Sequence, residues 1–239
     1  MTTKSKKSKI VCVSHREDTD GISCAALIKQ AFGGETILTD YPGMMDDMES
    51  LRHDESLKEL YICDLGLNKK NECDFVELLS QLRKRRVKIS YIDHHDLDKK
   101  IINQLKKIKV TVIHDTNECA SVQVYDTYKR KLNDHAPFIA ACAAITDYME
   151  DRPLGSKLLQ IFDRQFALIS ATVMTYNIVG HQKEPDYLLY LVDELSESKY
   201  PHQLPNSFEF AQLQVEKLAS IIAKVKENMK LKKNLGYME

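Results

Sequence analysis

Five short apolar runs in the first 115 residues constrain the fold of this chain more than any other feature. They are Lys9–Val13, Glu35–Thr39, Glu59–Cys63, Val87–Ile92 and Val110–His114, and helical patterns over Ile22–Phe32, Met44–Leu57, Lys70–Arg86 and Leu97–Lys107 separate them. Each run has strand length and is bounded by polar or turn residues. Parallel strands need a long crossover, and a helix is what usually fills it. The pattern therefore predicts an α/β fold: a mainly parallel five-stranded sheet with helices on both faces. Beyond His114 no further strand is expected. Glu118–Lys131, Ala136–Tyr148, Lys157–Ile178 and Pro185–Leu195 read as helices, giving an all-helical C-terminal portion. A polar break at Ser196–Ser207, with Pro201 and Pro205, precedes a last helix from Phe208 to Lys233.

This divides the chain into a basic tail over 1–8, a main unit over 9–195 and a linker with an amphipathic helix over 196–239. The main unit has a sheet part over 9–115 and a helical part over 116–195. Of the 239 residues 43% are hydrophobic, enough for a substantial core, and the net charge of −1 gives no global pull toward an anionic partner. The six cysteines form no C-x-x-C pair and mostly sit in apolar runs, so they read as reduced core thiols. The longest apolar stretch, around Ala136–Ile145, is too short to span a bilayer, and the lysines near the N-terminus lead into no signal peptide. A cytoplasmic protein without a membrane partner is expected. The last helix spaces Phe210, Leu213, Leu218, Ile221, Ile222, Val225 and Met229 at helical intervals, with lysines between them. It is either a packed amphipathic helix, a basic wall along a nucleic-acid groove, or a helix shared with a partner.

Three of the runs end on groups that bind metals. Lys9–Val13 leads into Ser14-His15-Arg16-Glu17-Asp18-Thr19-Asp20-Gly21, Leu60–Cys63 leads into Asp64, and Val87–Ile92 closes on Asp93-His94-His95. Ligands of an open α/β sheet collect at the carboxyl ends of its strands. Asp18-x-Asp20-Gly21 sets two carboxylates across a tight turn, where they repel unless protonated or bridged by cations. A calcium loop is excluded, because no spaced series of oxygen ligands ending in glutamate follows. Asp64 alone is equally a helix N-cap, and Asp147, after Ala143-Ala144-Ile145-Thr146, is equally a surface acid. Two histidines in tandem behind a strand-end aspartate are harder to explain as packing. Together these residues point to bound metal ions.

In this order the motifs resemble the DHH phosphoesterase superfamily, with its RecJ-like and oligoribonuclease-like members. The matching residues are His15-x-x-Asp18-x-Asp20-Gly21-x-Ser23, then Asp64, then Asp93-His94-His95, then Asp147. The resemblance implies that His15, Asp18 and Asp64 hold one metal, and that Asp20, Asp64, His94 and Asp147 hold a second, with Asp64 bridging. It also implies that Asp93 orients an imidazole and that His95 meets the phosphate. Asp93, His94 and His95 are thus the catalytic candidates, and Arg16, His95 and Arg152 the substrate-binding ones. Two imidazoles among oxygen ligands suit Mn²⁺, with Mg²⁺ or Zn²⁺ as alternatives.

Two departures shape the expected function. His15 stands three positions before Asp18, where many relatives place the histidine four before, and a role in packing the turn is its other reading. The superfamily's C-terminal substrate-binding domain is not recognisable, and Gly180-His181 is no substitute for its glycine-rich segment. The substrate is then short, or a second subunit or a replication or repair partner completes the binding surface. Arg16, Lys69-Lys70, Arg83-Lys84-Arg85-Arg86 and Arg152 are available for phosphate contacts, although a basic helix end is also favoured by the helix dipole. The expected activity is a two-metal phosphodiesterase or exonuclease acting on single-stranded DNA or RNA or short oligonucleotides. The alternatives are a non-catalytic RecJ-related replisome scaffold and a small-molecule phosphatase for nucleotide bisphosphate or pyrophosphate.

Overall fold

The computed structural model describes residues 8–197, 199–232 and 235–237. The first half alternates β1 (Lys9–His15), α1 (Thr19–Phe32), β2 (Glu35–Thr39), α2 (Met44–Glu49), β3 (Leu57–Cys63), α3 (Glu72–Lys84), β4 (Lys88–Asp93), α4 (Lys99–Lys107) and β5 (Thr111–His114). The five strands form one sheet in the order β2-β1-β3-β4-β5, every pairing parallel. Both faces are buried, which is why the strands read as unbroken apolar runs. Val11, Val13, Leu60, Ile62, Ile89 and Tyr91 enter one core together with α2, α3 and α4. The alternate residues Cys12, Tyr61, Cys63 and Ile92 enter the other.

That second core is closed by α1 and by the later helices α5 (Ala120–Tyr128), α6 (Ala136–Thr146), α8 (Arg164–Gly180) and α9 (Pro185–Ser196). From β1 the chain passes to β2 on one side, while β3 begins the run toward the other. The adjacent carboxyl ends of β1 and β3 therefore open a crevice where the strand order reverses, the usual ligand position in such sheets.

The structure departs from the sequence reading at four places. β1 continues to His15, whose backbone pairs with Thr39. The helix expected over Met44–Leu57 stops at Glu49, because β3 already begins at Leu57. The single helix expected over Lys157–Ile178 is two, α7 (Pro153–Leu159) and α8. Pro153 opens the first and the Asp163 side chain caps the second by accepting from the Phe166 amide at 2.8 Å. The last helix, α10 (Ser207–Asn228), ends before a short antiparallel pair, β6 (Lys230–Lys232) and β7 (Leu235–Tyr237), so strands do recur after His114. Lys233 and, but for Ser8, the basic tail lie outside the described residues. All six cysteines are free, and five are buried. Among the described residues no helix is long and apolar enough to cross a membrane.

Candidate metal centre

The extension of β1 to His15 places its Nδ1 2.8 Å from Asp18 Oδ2. Asp18 is the N-cap of α1, and its Oδ1 accepts the Gly21 amide at 2.9 Å. Asp20 lies one step further, in the first turn. Its Oδ2 accepts from the Ala120 amide at 2.7 Å and its Oδ1 from the Ser121 amide at 2.8 Å. These are the first amides of α5, so the positive end of that helix cradles the carboxylate. The turn tolerates only glycine at position 21, since a Cβ there would lie 2.2 Å from the His15 carbonyl oxygen.

Asp64 follows β3 in the left-handed region, φ 54°, with its amide donating to the Ile92 carbonyl at 2.9 Å. Aspartate is one of the few non-glycine residues that enters this region readily. Its side chain is 1% exposed. Oδ1 lies 3.3 Å from His94 Nε2 and Oδ2 lies 3.8 Å from His15 Nδ1, so one carboxylate faces two imidazoles with different oxygens. His94 Nε2 also stands 3.3 Å from Asp147 Oδ2 and 3.7 Å from Asp20 Oδ2. Asp147, the C-cap of α6, is carried in by the end of that apolar helix.

Three groups each bring their ligand atoms within 4.8 Å of one another: His15, Asp18 and Asp64; Asp64, His94 and His95, which shares Asp64 with the first; and, separately, Asp20, Cys119 and Asp147. His15 Nε2, both Asp64 oxygens and Asp147 Oδ2 are buried without a hydrogen-bond partner. Buried polar atoms normally find partners, and Asp64 Oδ1 and Asp147 Oδ2, both 3.3 Å from His94 Nε2, fit ligands of a cation. The electrostatics agree. Burial, then the charges of Asp20 and Asp18, hold the Asp64 carboxyl well above the usual carboxylate range, and the same causes push Asp147 up to about 8. Burial likewise raises Asp20. Cations would relieve the repulsion that protons otherwise relieve.

A hydrogen-bonded chain runs beside this cluster. The Tyr91 hydroxyl lies 2.8 Å from the Leu65 carbonyl and 3.0 Å from Asp93 Oδ2. Asp93 Oδ1 meets His95 Nδ1 at 2.8 Å, and His95 Nε2 meets the Tyr41 hydroxyl at 3.1 Å. Asp93 is fully buried and accepts from Nδ1, which fixes the His95 ring and raises its pKa.

The structure thus brings His15, Asp18, Asp20, Asp64, His94, His95 and Asp147 together, with Asp93 directly behind. Arg16 is engaged by other groups: it donates to the Gln182 carbonyl at 3.1 Å and stands 3.9 Å from Asp40. Arg152 is exposed at the N-cap of α7, 3.8 Å from Asp151. Of the basic run, Arg83 donates to the Val87 carbonyl and Arg85 to the carbonyls of Leu51, Arg52 and Asp54, far along α3 from the strand ends that carry the site. Tyr41, Cys119 and Ser121 escape the sequence reading. Tyr41 had a signal, since it follows β2 much as Asp64 follows β3. Cys119 and Ser121 had none, because only the packing of α5 on α1 sets them beside Asp20.

The profile of the DHH family, N-terminal domain, matches residues 9–146. This chain belongs to the DHH family of metal-dependent phosphoesterases. Nothing among curated proteins matches it. Among solved structures it is similar to the pGpG-specific phosphodiesterase PggH from Vibrio cholerae, at 14% identity and a TM-score of 0.56, over 95% of this chain and 67% of that one. It is also similar to an uncharacterized protein from Helicobacter pylori G27, at 17% identity and a TM-score of 0.49, over 97% of this chain and 75% of that one.

Proposed function

We propose that this chain hydrolyses phosphodiester bonds in single-stranded nucleic acid or short oligonucleotides, releasing mononucleotides with the help of two divalent cations. The observation that supports this most is Asp64, a buried carboxylate whose two partnerless oxygens face His15 on one side and His94 on the other. In this reading His15, Asp18 and Asp64 hold one cation, and Asp20, Asp64, His94 and Asp147 the other. The donor set suits Mn²⁺, with Mg²⁺ or Zn²⁺ as alternatives. Such a pair, when bound, clamps a phosphate, activates a water and offsets charge on the leaving oxygen.

The chain's own groups position the rest. Asp93 holds His95 Nδ1, leaving Nε2 to face the phosphate, and the raised pKa favours a proton there to donate. The Tyr41 hydroxyl occupies Nε2 until a phosphate oxygen takes its place. In this reading Arg16 and Arg152 would contact substrate only after leaving their present partners, Gln182 and Asp151, with a second subunit or partner completing the surface. The scaffold reading is disfavoured by a complete ligand set in which both Asp64 oxygens and Asp147 Oδ2 are buried without a hydrogen-bond partner.

A substrate panel with Mn²⁺ tests this: single-stranded DNA and RNA oligonucleotides, pGpG (the dinucleotide in the fold neighbour's description), a nucleotide bisphosphate and pyrophosphate. We expect Mn²⁺-dependent release of mononucleotides, abolished by Asp93→Ala combined with His94→Ala. Activity that survives the double variant overturns the assigned site. Hydrolysis of pyrophosphate or bisphosphate alone would establish the small-molecule phosphatase instead. No hydrolysis of any substrate by Mn²⁺-loaded protein leaves the scaffold.

A further inference from the structure

Tyr148 breaks the local rule for its position. α6 ends in a two-bond cap: the Tyr148 amide donates to the Ile145 carbonyl at 3.2 Å and the Met149 amide to the Ala144 carbonyl at 2.8 Å. Asp147 is the C-cap, and Tyr148, just past it, has a left-handed φ of 57°. Glycine usually fills that position, because a Cβ there crowds the following carbonyl. A bulky aromatic residue is among the least expected occupants. Packing does not offset the strain: Tyr148 is 87% exposed, the most of any large hydrophobic residue described. Backbone strain of this kind gathers at ligand-binding positions.

The ring borders a hollow. Tyr148 and Tyr176 line it with Ile145, Thr146, Thr172 and Thr175 around about 220 Å³, room for one planar base. The hollow adjoins the metal cluster through two links. Asp147, whose Oδ2 stands 3.3 Å from His94 Nε2, is the chain neighbour of Tyr148. Thr175 Oγ1 lies 3.0 Å from Oγ1 of Thr19, the residue between Asp18 and Asp20. No lining residue is charged, so the hollow suits a flat neutral group and not a second phosphate. An aromatic ring offered beside a phosphate site is how single-stranded nucleic acid is gripped, since every base has a face to stack.

We propose that Tyr148 stacks on the nucleobase next to the phosphate held at the metal cluster, with Tyr176 and the three threonines forming the rest of the base pocket. The pocket presupposes the phosphodiesterase reading for the phosphate at the cluster, and it narrows the substrate to nucleotides over bare phosphate esters. Stacking is tolerant of base identity, so the pocket selects a nucleotide without selecting a sequence. Tyr148 binds; it does not touch the reacting atoms.

Calorimetry of the full chain with Mn²⁺ tests the pocket without requiring turnover, because AMP carries a base and ribose 5-phosphate lacks one. Wild type should bind AMP at least ~10-fold more tightly than ribose 5-phosphate. Tyr148→Ala should remove most of that advantage, and Tyr148→Phe should keep it. Tyr148→Gly, which suits the left-handed backbone, should raise the Tm and still lose the advantage, separating base binding from folding. With a single-stranded oligonucleotide, Tyr148→Ala should raise KM ~10–100-fold and change kcat much less. No binding of AMP, equal wild-type affinity for the two ligands, or a base advantage that survives both Tyr148→Ala and Tyr148→Gly overturns the proposal. So does a Tyr148→Gly variant with a lower Tm than wild type, which would make the ring structural. A base advantage that follows Tyr148 in a protein that hydrolyses nothing supports the pocket and overturns only the phosphodiesterase reading.

Discussion

Ser121 holds Asp20 at two points: its amide donates to Oδ1 at 2.8 Å, and its hydroxyl donates to the Asp20 carbonyl at 2.8 Å. One residue at the start of α5 thereby fixes both the backbone and the carboxylate of a candidate ligand 101 positions earlier. Residues behind metal ligands tune affinity by holding them in place. Ser121→Ala keeps the amide contact and loses the hydroxyl. It should cost about 1 kcal/mol of stability in urea unfolding and weaken Mn²⁺ binding about tenfold by calorimetry. Unchanged Mn²⁺ affinity would show that Asp20 does not depend on this support.

Gly21→Ala should be far more damaging than its size implies. Its Cβ would sit 2.2 Å from the His15 carbonyl oxygen and 2.7 Å from the His15 Cβ. Relief requires moving the loop that carries His15, Asp18 and Asp20. A loss of about 2–3 kcal/mol together with loss of Mn²⁺-induced thermal stabilisation is expected. A variant with wild-type Tm and wild-type Mn²⁺ response would contradict the close approach.

Asp64→Asn separates stability from metal binding. The raised carboxyl pKa of Asp64 means that the folded, metal-free state holds its proton more tightly than the unfolded chain does. Wild-type stability from this group is therefore present below the unfolded value, near pH 4, and lost as pH rises toward the higher folded value. Asparagine accepts the left-handed backbone and has no charge to bury. In EDTA, Asp64→Asn should match or exceed the wild-type Tm, and the difference should grow from pH 5 to pH 7.5. With Mn²⁺ at about 100 times its Kd, wild type should gain about 2.7 kcal/mol while the variant gains almost nothing.

Asp93 and His95 should behave as one unit. Asp93→Asn replaces the carboxylate that fixes His95 Nδ1 with a neutral amide, a weaker acceptor without charge, and His95→Ala removes the imidazole itself. Each should lower kcat by about 100-fold, with Mn²⁺ affinity far less affected. The double variant should be no worse than the poorer single one. Additive losses would mean that Asp93 acts through something other than His95.

His135 gives a pH effect remote from the cluster. Its Nε2 donates to the Lys199 carbonyl at 2.9 Å, and burial lowers its pKa below the ordinary histidine value. The neutral form is the one the fold accepts. Its contribution is complete above the unfolded value near 6.5 and is lost as pH falls through the lower folded value. Comparing Tm from pH 7.5 to pH 5 for wild type and His135→Gln isolates the contribution: the gap should narrow as pH falls. A gap that stays constant would place the histidine's role in packing alone.

Much of the scaffold was legible because each strand announced itself locally. β2 fell on its predicted residues, and the other four differed only at their ends. The boundaries that failed depended on competition between neighbours. Met44–Leu57 has helical character throughout, yet Leu57 is drawn into β3 by its pairing with Lys9. The helix over 157–178 reads as continuous until Asp163 is seen capping a fresh start.

For the site, sequence order alone supplied the chemical inventory: two carboxylates in a turn, one after β3, a tandem imidazole after β4 and a carboxylate closing an apolar helix. Residue identity and strand periodicity determine that much, since both are local properties. Which oxygen faces which imidazole was decided only in three dimensions. The posture of Asp64, with one oxygen toward His94 and the other toward His15, needs its left-handed backbone and the parallel register of β1, β3 and β4. The cradle for Asp20 needs α5 to return across the sheet and present its amides. Contacts of that range follow from the packing of whole elements against one core, and no spacing within a single segment encodes them.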